Sequence, residues 1–169
     1  MKEGIQEDLR ESLENTQGVT KKAQTYEDIL KERDISLDKA HAIVDQMLEK
    51  GFYEETFPIK LPAPAPITVT FRTRLHSDYV KFLRALEVYM PKYMEEQREI
   101  QTRYFLAASL VQYKGKRFKT GADADKEFED TLTWIEAQPE RLIFLLANKL
   151  HAFDLQIQAV MSEGVVENF

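Results

Sequence analysis

The chain has 169 residues, 43% of them hydrophobic and 31% charged, with a net charge of −6 and a pI near 5.2. That length suits one domain whose core needs no disulfide or metal staple, and the acidic balance disfavours binding to a phosphate backbone. The lack of Cys removes disulfide frameworks, thiol nucleophiles and thiolate metal sites together.

Residues 1–24 space the large aliphatics Ile5, Leu9 and Leu13 four apart, so a helix there would show a thin apolar stripe. They read as an N-terminal arm, either flexible or becoming helical when it docks on a partner. The opening MKEGIQEDLRESLENTQ is acidic and has no apolar centre, unlike a secretory signal. No run approaches the ~18 apolar residues of a membrane span; Leu142 to Ala147 is the longest candidate. The expectation is a chain with no membrane partner.

Residues 25–169 read as a single, mainly helical domain. Thr25 and Asp28 have the spacing of a capping box and start a short helix through Lys31 or Glu32. Ser36 opens a second, LDKAHAIVDQMLEK, with Leu37, Ala40, Val44 and Met47 on one face and Gly51 as its stop. The period then changes to two. Ile67, Val69, Phe71, Thr73 and Leu75 alternate with Thr68, Thr70, Arg72 and Arg74, the pattern of a half-buried strand. Tyr53, Phe57, Ile59 and Leu61 also share a parity, and PAPAP at 62–66 joins the two runs. This predicts an antiparallel hairpin at about 53–75 with a stiff, extended tip at Pro62, Pro64 and Pro66. Pro58 marks its first strand as an edge.

Ser77 is expected to cap a helix with Val80, Leu83 and Leu86 at intervals of three, and Pro91 to kink or restart it. The next helix is expected over about Lys92 to Val111. YKGKRF then reads as a tight turn at Lys114–Gly115 between short extended pieces. Another helix begins near Asp125 and runs through Ala137. The last, entered at Pro139 and running to about Met161, carries Ile143, Leu146, Leu150, Phe153 and Ile157 on one stripe and should be central. The fold class is therefore α+β and mostly α: five or six helices around one core, with a single hairpin. The last helix and those around Leu106 and Leu83 should form that core, filled by Trp134 and Phe153.

No catalytic residue, cofactor site or metal site is assigned. His41, His76 and His151 have no second ligand at metal spacing. Asp123, Asp125 and Glu127 imitate the start of a calcium loop, but Phe128 stands where Gly is needed and Trp134 where a bidentate Glu belongs. The phosphate-binding and nucleophile motifs are missing. What remains concerns surfaces. Lys114, Lys116, Arg117 and Lys119 make a compact basic turn between Tyr113 and Phe118, and Arg72 and Arg74 project from the polar face of the second strand. If strand and turn lie close, they form one basic patch able to dock an acidic partner; otherwise the turn is an ordinary solvated loop. The hairpin edge could pair with a neighbour's sheet or pack over its own helices.

Three stretches carry a family resemblance. In ITVTFRTRLHSDYVKFLRALE a strand runs into an amphipathic helix, and in YFLAASLVQYKGKRF a helix runs into a basic turn. LHAFDLQIQAVMSEGVVENF closes the chain as a helix and a short polar tail. Together, over about residues 52–169, they resemble the small assembly and virion proteins of tailed bacteriophages, of the tail assembly chaperone or baseplate-hub assembly type. The resemblance implies a non-enzymatic protein of the infected host's cytoplasm that binds other phage structural proteins, or one that stays in the virion. It supplies no catalytic residues.

The expected function is thus protein binding in tail or baseplate assembly, through Arg72, Arg74, Lys114, Lys116, Arg117 and the tip Pro62, Pro64 and Pro66. No nucleic acid partner is expected, and a homo-oligomer stays open. A bacterial cytoplasmic adaptor or regulator is the first alternative. The second is an enzyme with scattered carboxylates, for which a deep pocket holding two convergent acids would be the sign.

Overall fold

A computed structural model describes residues 25–59 and 67–162. The arm of residues 1–24 and the prolines of the hairpin tip lie outside the described residues. Helix α1 (Tyr26–Glu32) starts as its capping box dictates: the Asp28 N–H donates to the Thr25 hydroxyl, and the Asp28 carboxylate accepts from the Thr25 N–H. Helix α2 (Leu37–Lys50) is capped by the Ser36 hydroxyl and stops at Gly51, whose φ of +78° suits a residue without Cβ.

Strands β1 (Glu54–Ile59) and β2 (Ile67–Arg72) pair antiparallel, with Glu54 opposite Arg72 and Ile59 opposite Ile67. Along β2, Ile67, Val69 and Phe71 are buried and Thr68, Thr70 and Arg72 half-buried, as the alternation requires. Helix α3 (His76–Tyr89) follows. Its cap is not Ser77, which lies within the first turn; the Asp78 carboxylate accepts the Leu75 N–H at 2.9 Å instead. The buried face of α3 is Asp78, Phe82 and Ala85, while Leu83 stays 41% exposed. The helix is therefore rotated relative to the expected stripe, because its buried aromatic, Phe82, packs edge-on against Phe105 at 5.3 Å.

Met90 takes a left-handed conformation, and α4 (Met94–Ser109) restarts beyond Pro91. This helix ends two residues before the expected Val111. Leu110 begins strand β3 (Leu110–Tyr113), which pairs with β2 and turns back through β4 (Lys116–Arg117). The sheet thus has four antiparallel strands in the order β1-β2-β3-β4 rather than a single hairpin. A four-residue strand directly after a helix is too short to declare a period of two, and its partner β2 is set by the tertiary fold. Helices α5 (Ala124–Glu136) and α6 (Glu140–Val160) complete a mostly helical α+β architecture.

One apolar cluster joins the inner face of the sheet to α4, α5 and α6, with Phe71, Leu106, Leu110, Ile135, Leu146 and Phe153 at or near zero exposure. Phe153 is its hub, with ring centroids 5.9 to 6.4 Å from Phe57, Tyr53 and Phe71. A second cluster, including Leu30, Ile35, Ile43, Val44 and Val160, fastens α1 and α2 onto the end of α6. Tyr53 and Ile157 pack against both. Burial and the neighbouring Glu55 carboxylate push the Tyr53 phenol up to about 12. No helix among the described residues is long and apolar enough to cross a membrane.

Candidate functional site

The basic hairpin is built by its turn. Lys114 and Gly115 both have positive φ, at +49° and +79°, the conformation that lets a two-residue connection match the twist of its strands. Lys114, Lys116 and Arg117 are exposed on it. Beneath them lies an aromatic base: the Trp134 ring is 4.8 Å from Phe118 and 5.6 Å from Tyr113. The Lys116 ammonium stands 5.0 Å from the Phe118 ring and 5.8 Å from that of Trp134, and the Lys114 ammonium 5.8 Å from Tyr113. Arg117 Nε donates to the Lys119 carbonyl at 2.7 Å. These contacts hold three cations at the surface without neutralising them.

Beside the hairpin runs a groove of about 650 Å³, with Lys116 and Arg117 on the hairpin side and Asp123, the N-cap of α5, with Lys126, Glu127 and Asp130 of that helix on the other. Glu127 is already engaged. One of its oxygens accepts from the Thr120 hydroxyl and from the N–H groups of Thr120, Gly121 and Ala122, at 2.6 to 3.3 Å. Burial opposes its ionisation, but the bonds from Thr120 and its neighbours prevail and hold the carboxyl below its ordinary value.

Arg72 and Arg74 do not join this patch. The Lys114 N–H donates to the Thr68 carbonyl, so the basic turn lies at the Ile67 end of β2 and the two arginines at the other. Arg72 Nε donates to the Ala108 carbonyl at 3.1 Å, and the guanidinium lies 3.8 Å from Asp78. Arg74 is bound to Asp154 at 2.9 Å and stacks 4.4 Å over the Phe105 ring. Both guanidiniums therefore tie the sheet to helices. The structure brings together Lys114, Lys116 and Arg117 alone; Pro62, Pro64 and Pro66 lie outside the described residues.

Among the described residues no strand pairs with the outer edge of β1, and that edge offers little to a neighbouring strand. The Tyr53 carbonyl accepts the Thr73 N–H, so by alternation Glu54, Thr56 and Pro58 turn their backbone groups outward. Pro58 has no N–H, and that of Glu54 donates to Gln46 Oε1 at 2.9 Å. Thr56 is left as the outward donor of the strand, which blunts strand addition.

Lys119 shares the basic stretch in sequence but not in space. It is 6% exposed, and its ammonium is 5.9 Å from the Phe128 ring, which Lys81 approaches at 4.5 Å. Its adjacency to the buried Phe118 is no guide from sequence, because a lysine beside an apolar residue is ordinary on any strand.

A further groove of about 530 Å³ runs between α4, α5 and α6, with Ile143, Phe144 and Ala147 among its apolar lining and Glu99, Glu136, Glu140 and His151 among its polar lining. Glu99 is paired with Arg103. Among the described residues no three His, Cys, Asp or Glu side chains are grouped so as to hold a metal ion. Comparisons with protein-family models, with curated proteins and with solved structures found no match for this chain.

Proposed function

We propose that this chain is a non-catalytic protein-binding factor acting in tail or baseplate assembly of a tailed bacteriophage, or a small structural component of the particle. In this reading it meets an acidic surface on another phage structural protein, in the host cytoplasm or in the virion. The observation that supports it is the Lys114–Arg117 hairpin, whose three exposed cations stand on a fixed Tyr113–Trp134–Phe118 base. A pre-ordered cationic hairpin on an acidic protein loses little freedom on docking and orients a partner of opposite charge. The phage assignment within this class rests on the sequence resemblance.

The test is affinity capture of the tagged chain from infected cells, read by mass spectrometry. One phage structural protein in near-stoichiometric amount is the expected result, with K116E/R117E weakening its capture and leaving the melting temperature unchanged. Recovery of the chain with no phage protein would overturn the proposal.

A further inference from the structure

The Lys114–Arg117 hairpin gathers three like charges. Among the described residues no carboxylate comes within ion-pair distance of Lys114, Lys116 or Arg117. On the far wall of the adjoining groove, two of the three acids are turned to backbone donors. Asp123 accepts the Asp125 and Lys126 N–H groups, and Glu127 those of Thr120, Gly121 and Ala122. Between the walls lie the half-buried Trp134 and the exposed Ala137. Three cations beside an aromatic floor suit an acidic segment that also carries a few apolar side chains.

This chain contains such a segment. Residues 3–14 carry Glu3, Glu7, Asp8, Glu11 and Glu14 against one cation, Arg10, with Ile5, Leu9 and Leu13 spaced among them. The other segments outside the described residues match the hairpin less well. Residues 60–66 hold Lys60 and no carboxylate, and residues 163–169 hold only Glu163 and Glu167 as acidic side chains. Length permits the contact. Helix α1 is fastened to the Val160 end of α6, and α5, which carries Trp134, leads into the Glu140 end. Those ends are roughly 30 Å apart at 1.5 Å per residue. Residues 15–24 can span at most about 35 Å, so this tether covers the distance.

We propose that residues 3–14 of the same chain occupy the basic hairpin, their carboxylates against Lys114, Lys116 and Arg117 and their apolar side chains toward Trp134. This contact regulates the docking surface proposed above and rests on that reading. A tethered segment competes at an effective concentration of order mM. It therefore keeps weak acidic ligands off the hairpin and yields to a partner whose acidic surface binds more tightly. Arg10, the one cation of the segment, has Asp130 on the α5 wall to meet. The hairpin charges are exposed, so salt loosens the contact, with screening over about 8 Å at physiological ionic strength.

Trp134 is the sole tryptophan and the chain has no Cys, so a single label reports on this place alone. In the full chain, S12C carrying a nitroxide should quench Trp134 fluorescence at low salt. The quenching should be lost at about 1 M salt and in K116E/R117E, and should not change on dilution. A fluorescent hexaglutamate peptide serves as the acidic probe. E7Q/D8N/E11Q should bind it roughly tenfold more tightly than the wild type at low salt, and K116E/R117E should abolish that gain. Unquenched Trp134 at low salt overturns the proposal, as does quenching that persists in K116E/R117E. So does E7Q/D8N/E11Q binding the peptide no more tightly than the wild type. Quenching that falls away on dilution would make the occupant another copy's segment and remove the contact within one chain. Capture of a phage protein through Lys116 and Arg117 with Trp134 unquenched would keep the proposed function and remove the regulation. Quenching without any captured phage protein would do the reverse.

Discussion

Burial pushes the Lys119 ammonium down to about 8, with Arg72 and Lys81 acting in the same direction and Asp78 and Glu127 against it. The ordinary value is 10.5, so the folded protein releases this proton before the unfolded chain does. Below about pH 8 both states are protonated and the fold carries the whole penalty; between there and 10.5 stability rises as the native amine becomes neutral. K119M, which removes the charge and keeps the bulk, should melt higher than the wild type at pH 7, and the gap should close by pH 10. A constant gap in differential scanning calorimetry would refute that origin. Arg74 illustrates the opposite case, a charge the fold depends on. Asp154→Ala leaves its guanidinium without its carboxylate, at a cost of about 1.5–3 kcal/mol. Urea titration should therefore separate Asp154→Ala and Arg74→Ala, which lose stability, from K116E/R117E, which does not.

Among the elements, the β3–β4 hairpin depends most on the left-handed turn at Lys114 and Gly115. The left-handed region costs an L-residue about 1–2 kcal/mol, and Gly115 meets that requirement without a Cβ at φ +79°. Nothing lies within 4 Å of where its Cβ would stand, so Gly115→Ala acts through the backbone alone. It should lower stability by that amount and, by loosening Lys114 and Lys116, weaken capture of the acidic partner as well. Helix α3 shows how an amphipathic reading can find a helix and misplace its core face. Apolar residues stand on both the Phe82 and the Leu83 side of the helix, and the fit of Phe82 to Phe105 decides which side turns inward.

For the molecule as a whole, α6 is the common support. It holds Phe153 under the sheet and Val160 under α1 and α2. Phe153→Ala should cost about 3–5 kcal/mol, a large share of the roughly 5–15 kcal/mol expected of a domain. Since Tyr53 and Ile157 join both clusters, the sheet and α1–α2 should unfold together. Far-UV dichroism and the fluorescence of Trp134, the sole tryptophan, should then give coincident transitions. Separate midpoints would show that the α1–α2 unit folds by itself.

The sequence by itself determined the features whose causes are local. The caps at Thr25, Ser36 and Gly51, the alternation of β2, the break at Pro91 and the turn at Lys114–Gly115 each follow from a few neighbouring side chains. Tertiary structure alone decided what depends on distant partners. It recruited Leu110–Tyr113 as a third strand, because β2 supplied an open row of hydrogen-bonding groups. It drew Arg72 and Arg74 away from the basic turn, because Ala108, Asp78 and Asp154 meet them at the far end of the strand. It also buried Lys119 while leaving Lys114, Lys116 and Arg117 in water. Spacing along a chain sets which face a residue takes, but the packing of other elements sets what that face meets.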